Sequence, residues 1–467
     1  MSVVACVEDL CRWTHGNLLR GQPNQCFDRT VIDSRQVGPG ALFVAIVGVK
    51  HDAHRFVDQV LARGASGVVI QSDHMDETIG PSEAFVVHVD DTTRALADLA
   101  HGHRKSFSGP VIGITGSNGK TTTKELCAEI LERRGPTLAT RGNLNNRFGV
   151  PLTLLRRQPD DAHVIVEMGM NHRGEIAGLA AIAEPTIGIL TNVGSAHIEY
   201  LGSRENIAVE KGDLLAALPA DGTAIVGRDE PLAFEQARRT GARVLTFGEH
   251  PSAELCASGI RFVDASAFVF HLETPFGHGE LRVPGLSATI VENSLAAAGG
   301  AFAAGASFED VGKGLAAHRG VPGRMQPRPL AGDVLAIDDS YNANPQSMRH
   351  ALETLARLGR SGRRYAGLGE MGELGDEADR AHREAGRLAG ELAVDGLFVL
   401  GASAELVAEG AREAGLAAER IHVETSHEAI ADALDERLAK GDCVLVKGSR
   451  AAAMERVISA LEAAKER

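Results

Sequence analysis

The sequence predicts an α/β protein of three domains: a small α/β domain over residues 1–108, a central parallel-sheet domain over 109–320, and a C-terminal Rossmann-like domain over 321–467. Three observations carry this expectation. The chain has 467 residues, and at roughly 100 to 200 residues per domain that length asks for about three cores. Short apolar, β-branched runs alternate with patterns of helical period, as in parallel sheets covered on both faces. Clusters of Gly, Pro and Ser then interrupt the alternation at Ser108-Gly109-Pro110 and at RGVPGR, 319–324.

In the first domain, ALFVAIVG (41–48) and GVVI (67–70) read as strands, with the helix-like FVDQVLARG between them. DTTRALADLAHGHRKSF (91–107) has apolar residues at helical spacing and ends in basic residues, which suit a helix carboxyl terminus. The central domain offers strands at VIGIT (111–115), HVIVEMG (163–169), TIGILTNVG (186–194) and TAIVG (223–227), with a helix opening at Lys120. A more β-like stretch containing FVFHLETP and GELRVP precedes an alanine-rich helix placed after Asn293. In the last domain VLAIDD (334–339), YAGLGEM (365–371), GLFVLG (396–401), RIHVE (420–424) and CVLVKGS (443–449) alternate with helical patterns such as EADRAHREAGRLAGEL. In sheets of this kind ligands gather at the carboxyl ends of the strands.

Hydrophobic residues make up 44% of the chain and charged residues 24%, as in soluble globular proteins, and no apolar run approaches the ~20 residues that span a bilayer. The start, MSVVACVEDLCRWTHG, lacks the basic flank and continuous apolar segment of a secretory signal, so a cytoplasmic protein without membrane insertion is expected. A formal net charge of −14 argues against a nucleic-acid partner but leaves room for a local basic cleft. Cys6, Cys11, Cys26, Cys127, Cys256 and Cys443 form no C-x-x-C pair, which predicts reduced thiols rather than a disulfide framework or zinc site.

The string GITGSNGKTTTKE (113–125) nearly fits the phosphate-binding pattern G-x-x-x-x-G-K-[ST], except that Ile114 stands where the first glycine is required. Context rescues it. The strand VIGIT leads into Gly116-Ser117-Asn118-Gly119-Lys120-Thr121-Thr122, and a helix with Leu126, Ile130 and Leu131 on one face follows. Backbone N–H groups at such a helix start stabilise phosphate oxygens, Lys120 can neutralise β/γ-phosphate charge, and the Thr121 hydroxyl can join a Mg²⁺ shell. Glu167 closes the strand HVIVE where a magnesium–nucleotide site usually has a carboxylate, and His197 follows TIGILTNVG at another carboxyl end. A regulatory GTPase fits less well, because no N-K-x-D guanine signature follows the loop and switching gives no reason for a second α/β domain.

Strings along nearly the whole chain, in order, resemble the Mur ligase family of amide-forming enzymes. They begin with DSRQVGPGALFVAIVG in the first domain and continue through TGSNGKTTTKE, RGNLNNRFGVPLTLL (141–155), VIVEMGMNHRGEI (164–176), TNVGSAHIEYLGS (191–203) and AVEKGDLL (208–215). VPGR (321–324), DDSYNANPQSM (338–348), LGEMGELGDEADRAHREAG (368–386) and VLVKGSRAAAMERV (444–457) complete the series. The resemblance implies a UDP-sugar-binding first domain, a P-loop ATPase-like central domain and a C-terminal ligase domain. It also implies ATP and two Mg²⁺ ions as cofactors, with UDP-N-acetylmuramoyl-tripeptide and D-alanyl-D-alanine as substrates. A monomer is expected.

Residue by residue, the resemblance implies that Asp33, Ser34 and Arg35 contact the UDP group, and that Asn145 and Asn146 lie near substrate and phosphates. Lys120 would bind the β/γ-phosphates within the loop Gly116–Thr122, while Thr121 and Glu167 hold the magnesium that bridges them. His197 would hold a second magnesium, supported by a carbamate on Lys211. Asn293, Arg324, Asp339 and Asn344 would contact the ATP. Without the family, Lys211 reads as a helical surface lysine, Asn145 and Asn146 as turn formers, Arg324 as solvated and Asp339 as a cap. There is one departure: Thr289 and Ile290, in TIVENSLAAA, stand where the family usually has His-Asn.

The implied activity is ATP-dependent amide formation, in which phosphorylation turns a carboxylate into an acyl phosphate that an amine can attack. A rival within the family, the ligase adding the third amino acid, lacks support because no D-N-P-R type string is present. Folylpolyglutamate synthase would not explain the first domain, and an ATP-binding scaffold without catalysis is the alternative of a different class.

Overall fold

The computed structural model describes residues 4–48, 51–72, 83–358 and 362–465. The first segment forms a five-stranded sheet in the order Asn17–Arg20, Phe85–Val89, Gly67–Gln71, Ala41–Val44, Arg29–Val31. Its strands run parallel except Asn17–Arg20, which is antiparallel to its neighbour. Ala41, Leu42, Phe43 and Val44 are all buried, as a parallel strand covered on both faces requires.

Helix Thr92–Arg104 starts where the Asp91 carboxylate accepts from the backbone N–H groups of Thr93 and Arg94, at 2.7 and 3.0 Å. Its Leu96, Leu99 and Ala100 share one contiguous apolar core with Leu154, Leu179 and Ala180 of the central segment. Arg104 fastens the same seam: Nε donates to the Ala183 carbonyl at 2.7 Å and Nη2 to that of Glu184 at 2.9 Å. Removing the guanidinium strands both carbonyls, so Arg104→Ala is expected to lower the unfolding free energy by about 3 kcal/mol. Urea denaturation checks this; an unchanged midpoint would mean that apolar packing alone holds the two segments.

The central sheet has nine strands in the order Gly277–Pro284, Ala267–Thr274, Leu255–Val263, Arg243–Gly248, Thr223–Gly227, Ile187–Leu190, Val111–Thr115, His163–Glu167, Thr137–Ala139. The seven from Leu255–Val263 onward are parallel, and the β-like stretch expected from the sequence adds two antiparallel strands at one edge. Val111–Thr115 lies between His163–Glu167 and Ile187–Leu190, so three carboxyl ends meet at one point on the sheet's edge. The alanine-rich helix spans Thr289–Ala303, which places Asn293 inside its first turns rather than ahead of it.

The C-terminal sheet has the order Gln326–Leu330, Val334–Asp339, Cys443–Lys447, Arg364–Leu368, Gly396–Val399, Ile421–Val423, parallel apart from Gln326–Leu330. The last strand in sequence thus inserts beside the first parallel one, and Asp339 comes into register with Lys447. Among the described residues no helix is long and apolar enough to cross a membrane.

The cysteine expectation needs correction. Strand Ala5–Cys6 pairs antiparallel with Cys26–Phe27, and the register sets Cys6 opposite Cys26, where the two form a disulfide. Nothing in the 20-residue separation signals this pairing, which depends on two very short strands. Cys11, Cys127, Cys256 and Cys443 are free thiols, as expected.

Candidate active site

The loop between strand Val111–Thr115 and helix Lys120–Leu131 turns through Gly116 and Gly119, whose φ angles are +152° and +80°. A Cβ on Gly116 would sit 1.9 Å from Thr191 Oγ1, and one on Gly119 would sit 2.1 Å from Asn293 Oδ1. These glycines therefore let the loop lie tightly against its neighbours. Thr191 Oγ1 donates to the Asn118 carbonyl at 2.6 Å, and the Asn118 N–H donates to Asn192 Oδ1 at 2.9 Å. Sequence reasoning missed Thr191 and Asn192 as supports, although both belong to the TNVG string at a strand end.

Lys120 Nζ donates to the Gly116 carbonyl at 2.6 Å. Burial pushes its ammonium down to about 8, the Glu167 carboxylate opposes this, and Arg324 adds to it. Lys211 Nζ reaches the same Gly116 carbonyl at 3.1 Å from helix Arg204–Ala216. The surface-lysine reading of Lys211 is overturned: the residue is 1% exposed, because its helix face packs under the loop. Burial holds its pKa well below the ordinary lysine value, and nearby Lys120 lowers it further. A neutral amine is the form that can react with carbon dioxide.

Glu167 is buried beside the loop, and its Oε1 accepts from Asn145 Nδ2 at 2.8 Å. Its Oε2 has no hydrogen-bond partner, and neither does the buried Ser117 Oγ. Orphaned oxygens next to a buried Thr121 hydroxyl fit a hard divalent cation bound with phosphate. Among the described residues no three His, Cys, Asp or Glu side chains converge on one point, so such a cation would draw further ligands from phosphate and water. Asn146 behaves as the turn former its bland reading predicts, its Oδ1 accepting from the N–H groups of Phe148 and Gly149.

A cleft of about 1100 Å³ opens in front of the loop, between the central and C-terminal segments. Ser117, Asn118, Gly119, Lys120, Thr121, Thr122, Asn145, Asn146, Glu167, His197, Asn293, Arg324, Asp339 and Asn344 all line it. Gly116, at the start of the loop, and Lys211, beneath it, do not line the cleft. Asp33, Ser34 and Arg35 are outside the cleft, in the first segment, where the Asp33 carboxylate takes hydrogen bonds from Arg35 and is held down at about 2 by them.

The C-terminal segment reaches the loop through Asn344. This residue caps helix Pro345–Arg357 in a capping box with Ser347, and its Nδ2 donates to Asn118 Oδ1 at 2.8 Å. Asn118 Nδ2 in turn donates to Gln346 Oε1 at 3.0 Å. The Arg324 guanidinium lies over the Tyr341 ring, 4.3 Å from its centroid. Asp339 Oδ2 pairs with buried Lys447 Nζ at 2.6 Å and Oδ1 accepts from the Met325 N–H. Burial raises the Asp339 carboxyl against the opposing effect of Lys447. Lys447 was missed from sequence; its signal is a lysine closing the apolar strand CVLVK.

His197 Nδ1 lies 2.6 Å from Glu373 Oε2, a C-terminal residue also missed from sequence. Thr289 Oγ1 donates to Ser287 Oγ at 3.0 Å, while Ile290 is buried in the central core against Gly285. The departure from the family pattern thus has a packing role here. Restoring the polar residue as Ile290→Asn is expected to destabilise the protein by about 2–4 kcal/mol. A thermal or urea midpoint equal to wild type would refute that role.

Parallel sheets carrying a phosphate loop at a strand end, closed over by a third α/β segment, define a nucleotide-dependent ligase architecture. Family models agree: the Mur ligase family catalytic domain matches residues 29–104, the Mur ligase middle domain 114–301, and the Mur ligase glutamate ligase domain 323–450. The UDP-N-acetylmuramoyl-tripeptide–D-alanyl-D-alanine ligase of Escherichia coli K12 is 35% identical, with 93% of this chain and 94% of that one covered. The enzyme of the same name from Synechocystis is 37% identical, covering 92% and 90%. Among solved structures, MurF from Acinetobacter baumannii superposes with a TM-score of 0.89 at 32% identity over 99% of each chain. MurF from Thermotoga maritima in complex with ADP gives 0.81 at 30% identity over 94% and 98%. The chain belongs to the Mur ligase family.

Proposed function

We propose that the protein is the ligase that adds D-alanyl-D-alanine to UDP-N-acetylmuramoyl-tripeptide at the expense of ATP, supplying the pentapeptide precursor for peptidoglycan. The observation that carries this reading is the convergence of Lys120, Lys211 and Glu167 around the phosphate loop, under a C-terminal segment that bonds to Asn118. The named relatives support the choice of substrates.

A carboxylate does not accept an amine directly, since its oxygen is a poor leaving group and the two would only form a salt. Transfer of the γ-phosphoryl group to the terminal carboxylate of the tripeptide gives an acyl phosphate and ADP. The neutral amine of D-alanyl-D-alanine then attacks the acyl carbon, and phosphate leaves from the tetrahedral intermediate. The loop N–H groups and Lys120 orient and neutralise the β/γ-phosphates, and Arg324 approaches them from the C-terminal side. Asp339, Asn344 and Asn293 are assigned to the ribose and adenosine end.

Thr121 and Glu167 would hold one Mg²⁺, and His197 with carbamylated Lys211 would hold a second. When bound, these ions shield the repulsion between anionic carboxylate and γ-phosphate. Asn145 orients Glu167 through its amide, and Asn146 shapes the same substrate-facing loop. Asp33, Ser34 and Arg35 are assigned to the UDP end. In this scheme segment 1–108 holds the nucleotide sugar, 109–320 activates, and 321–467 closes and helps to bind the dipeptide, excluding water from the acyl phosphate. The protein acts as a cytoplasmic monomer.

A phosphate-release assay that crosses several UDP-muramoyl peptides with several amines tests the proposal. Release is expected only with the tripeptide and D-alanyl-D-alanine together. Release that ignores the dipeptide would sink the substrate assignment, and none with any pair would favour a binding scaffold.

A further inference from the structure

We infer that Glu373 is a positioning residue for His197, and that it couples cation binding at His197 to closure of the C-terminal segment; this rests on the proposed role of His197 as a metal ligand. The two residues come from different segments. His197 follows the central strand Ile187–Leu190, whereas Glu373 follows the C-terminal strand Arg364–Leu368. Yet Nδ1 and Oε2 are 2.6 Å apart.

Nδ1 is buried, and Glu373 Oε2 is the acceptor within reach of it. Both backbones are also in the left-handed region, at φ +66° for His197 and +61° for Glu373. Residues other than glycine seldom occupy it, and persist there when surrounding structure holds them. Here that support spans the seam: the Cβ position of Gly375 lies 3.4 Å from Glu199 Cγ, so the Glu373 loop rests on helix Ile198–Leu201.

An imidazole has two nitrogens, and a carboxylate beside Nδ1 favours the tautomer with its proton there. Nε2 then keeps its lone pair, and His197 lines the cleft where a cation would take it. Because the carboxylate belongs to the closing segment, the cation-binding tautomer is favoured only in the closed state. Linkage makes the effect reciprocal: a cation at His197 stabilises closure by the same factor.

Mn²⁺ in place of Mg²⁺ gives a test that does not depend on turnover. Bound Mn²⁺ is counted by electron paramagnetic resonance in full-length wild type, Glu373→Ala and Glu373→Gln, each with a non-hydrolysable ATP analogue and UDP-muramoyl-tripeptide. Wild type is expected to bind two ions. In Glu373→Ala the first should bind unchanged, which verifies the fold, and the second about 10- to 100-fold more weakly. Glu373→Gln, whose carbonyl still accepts from Nδ1–H, should recover most of that loss, and nitrogen NMR of His197 should report the Nδ1–H tautomer in wild type and Gln but not in Ala. Two ions at wild-type affinity in Glu373→Ala, or equal losses in Ala and Gln, would overturn the inference alone. A single ion in wild type would remove the metal role of His197 and this inference with it.

Discussion

Alanine at Lys120 is expected to slow phosphate release by about 10²- to 10³-fold, as loss of one preorganised charge donor does in other enzymes. The ammonium sits at the amino terminus of helix Lys120–Leu131, beside the loop carbonyls, and the other described lysine of the cleft, Lys447, is paired with Asp339. Its two roles differ in size. Contact with bound nucleotide contributes modestly to affinity, whereas charge that builds on the transferring group in the transition state is stabilised in a site with little water. Turnover should therefore fall further than the affinity for ADP, measured by calorimetry. A variant within tenfold of wild-type turnover would contradict the assignment.

Lys211→Met is expected to raise stability while removing activity. The Lys211 amine is buried with a backbone carbonyl as its hydrogen-bond partner, and Lys120 is close enough to disfavour a second positive charge. An amine in that setting is a poor structural element, and a methionine of similar length should replace it with a gain of about 1 kcal/mol. A lysine in so unfavourable a setting points to chemistry. Turnover is expected to drop by about 10²-fold or more, the scale of losing an electrostatic support in the site. Labelled bicarbonate should give a carbamate carbon signal in wild type that is missing from the variant. Full activity with methionine would leave Lys211 a packing residue.

The sequence made the α/β alternation legible because parallel strands buried on both faces leave continuous apolar runs such as VIGIT and HVIVE. The phosphate loop was legible for a related reason: its glycines, lysine and threonine sit at fixed offsets from a strand end. Long-range pairings left no such mark. Cys6 meets Cys26, Asp339 meets Lys447 and His197 meets Glu373 only through sheet register or closure of one segment on another. Burial was equally hidden, since the lysine of AVEKGDLL reads as a helical surface residue and only the tertiary packing puts Lys211 beneath the loop. Ile290 is the converse case, where a position expected to be polar serves the core.

The two seams of the molecule differ in kind. The first and central segments share an apolar core pinned by Arg104, whereas the central and C-terminal segments meet chiefly through Asn118, Asn344, Gln346 and the His197–Glu373 pair, with Leu286 the central residue that joins a C-terminal core. Polar contacts exchange for water at little net cost, but separating an apolar core does not. The second seam is therefore the one at which the chain would part most readily. A ligand held between the first two segments would keep its walls if that seam opened, while one that leans on the third would lose part of its site.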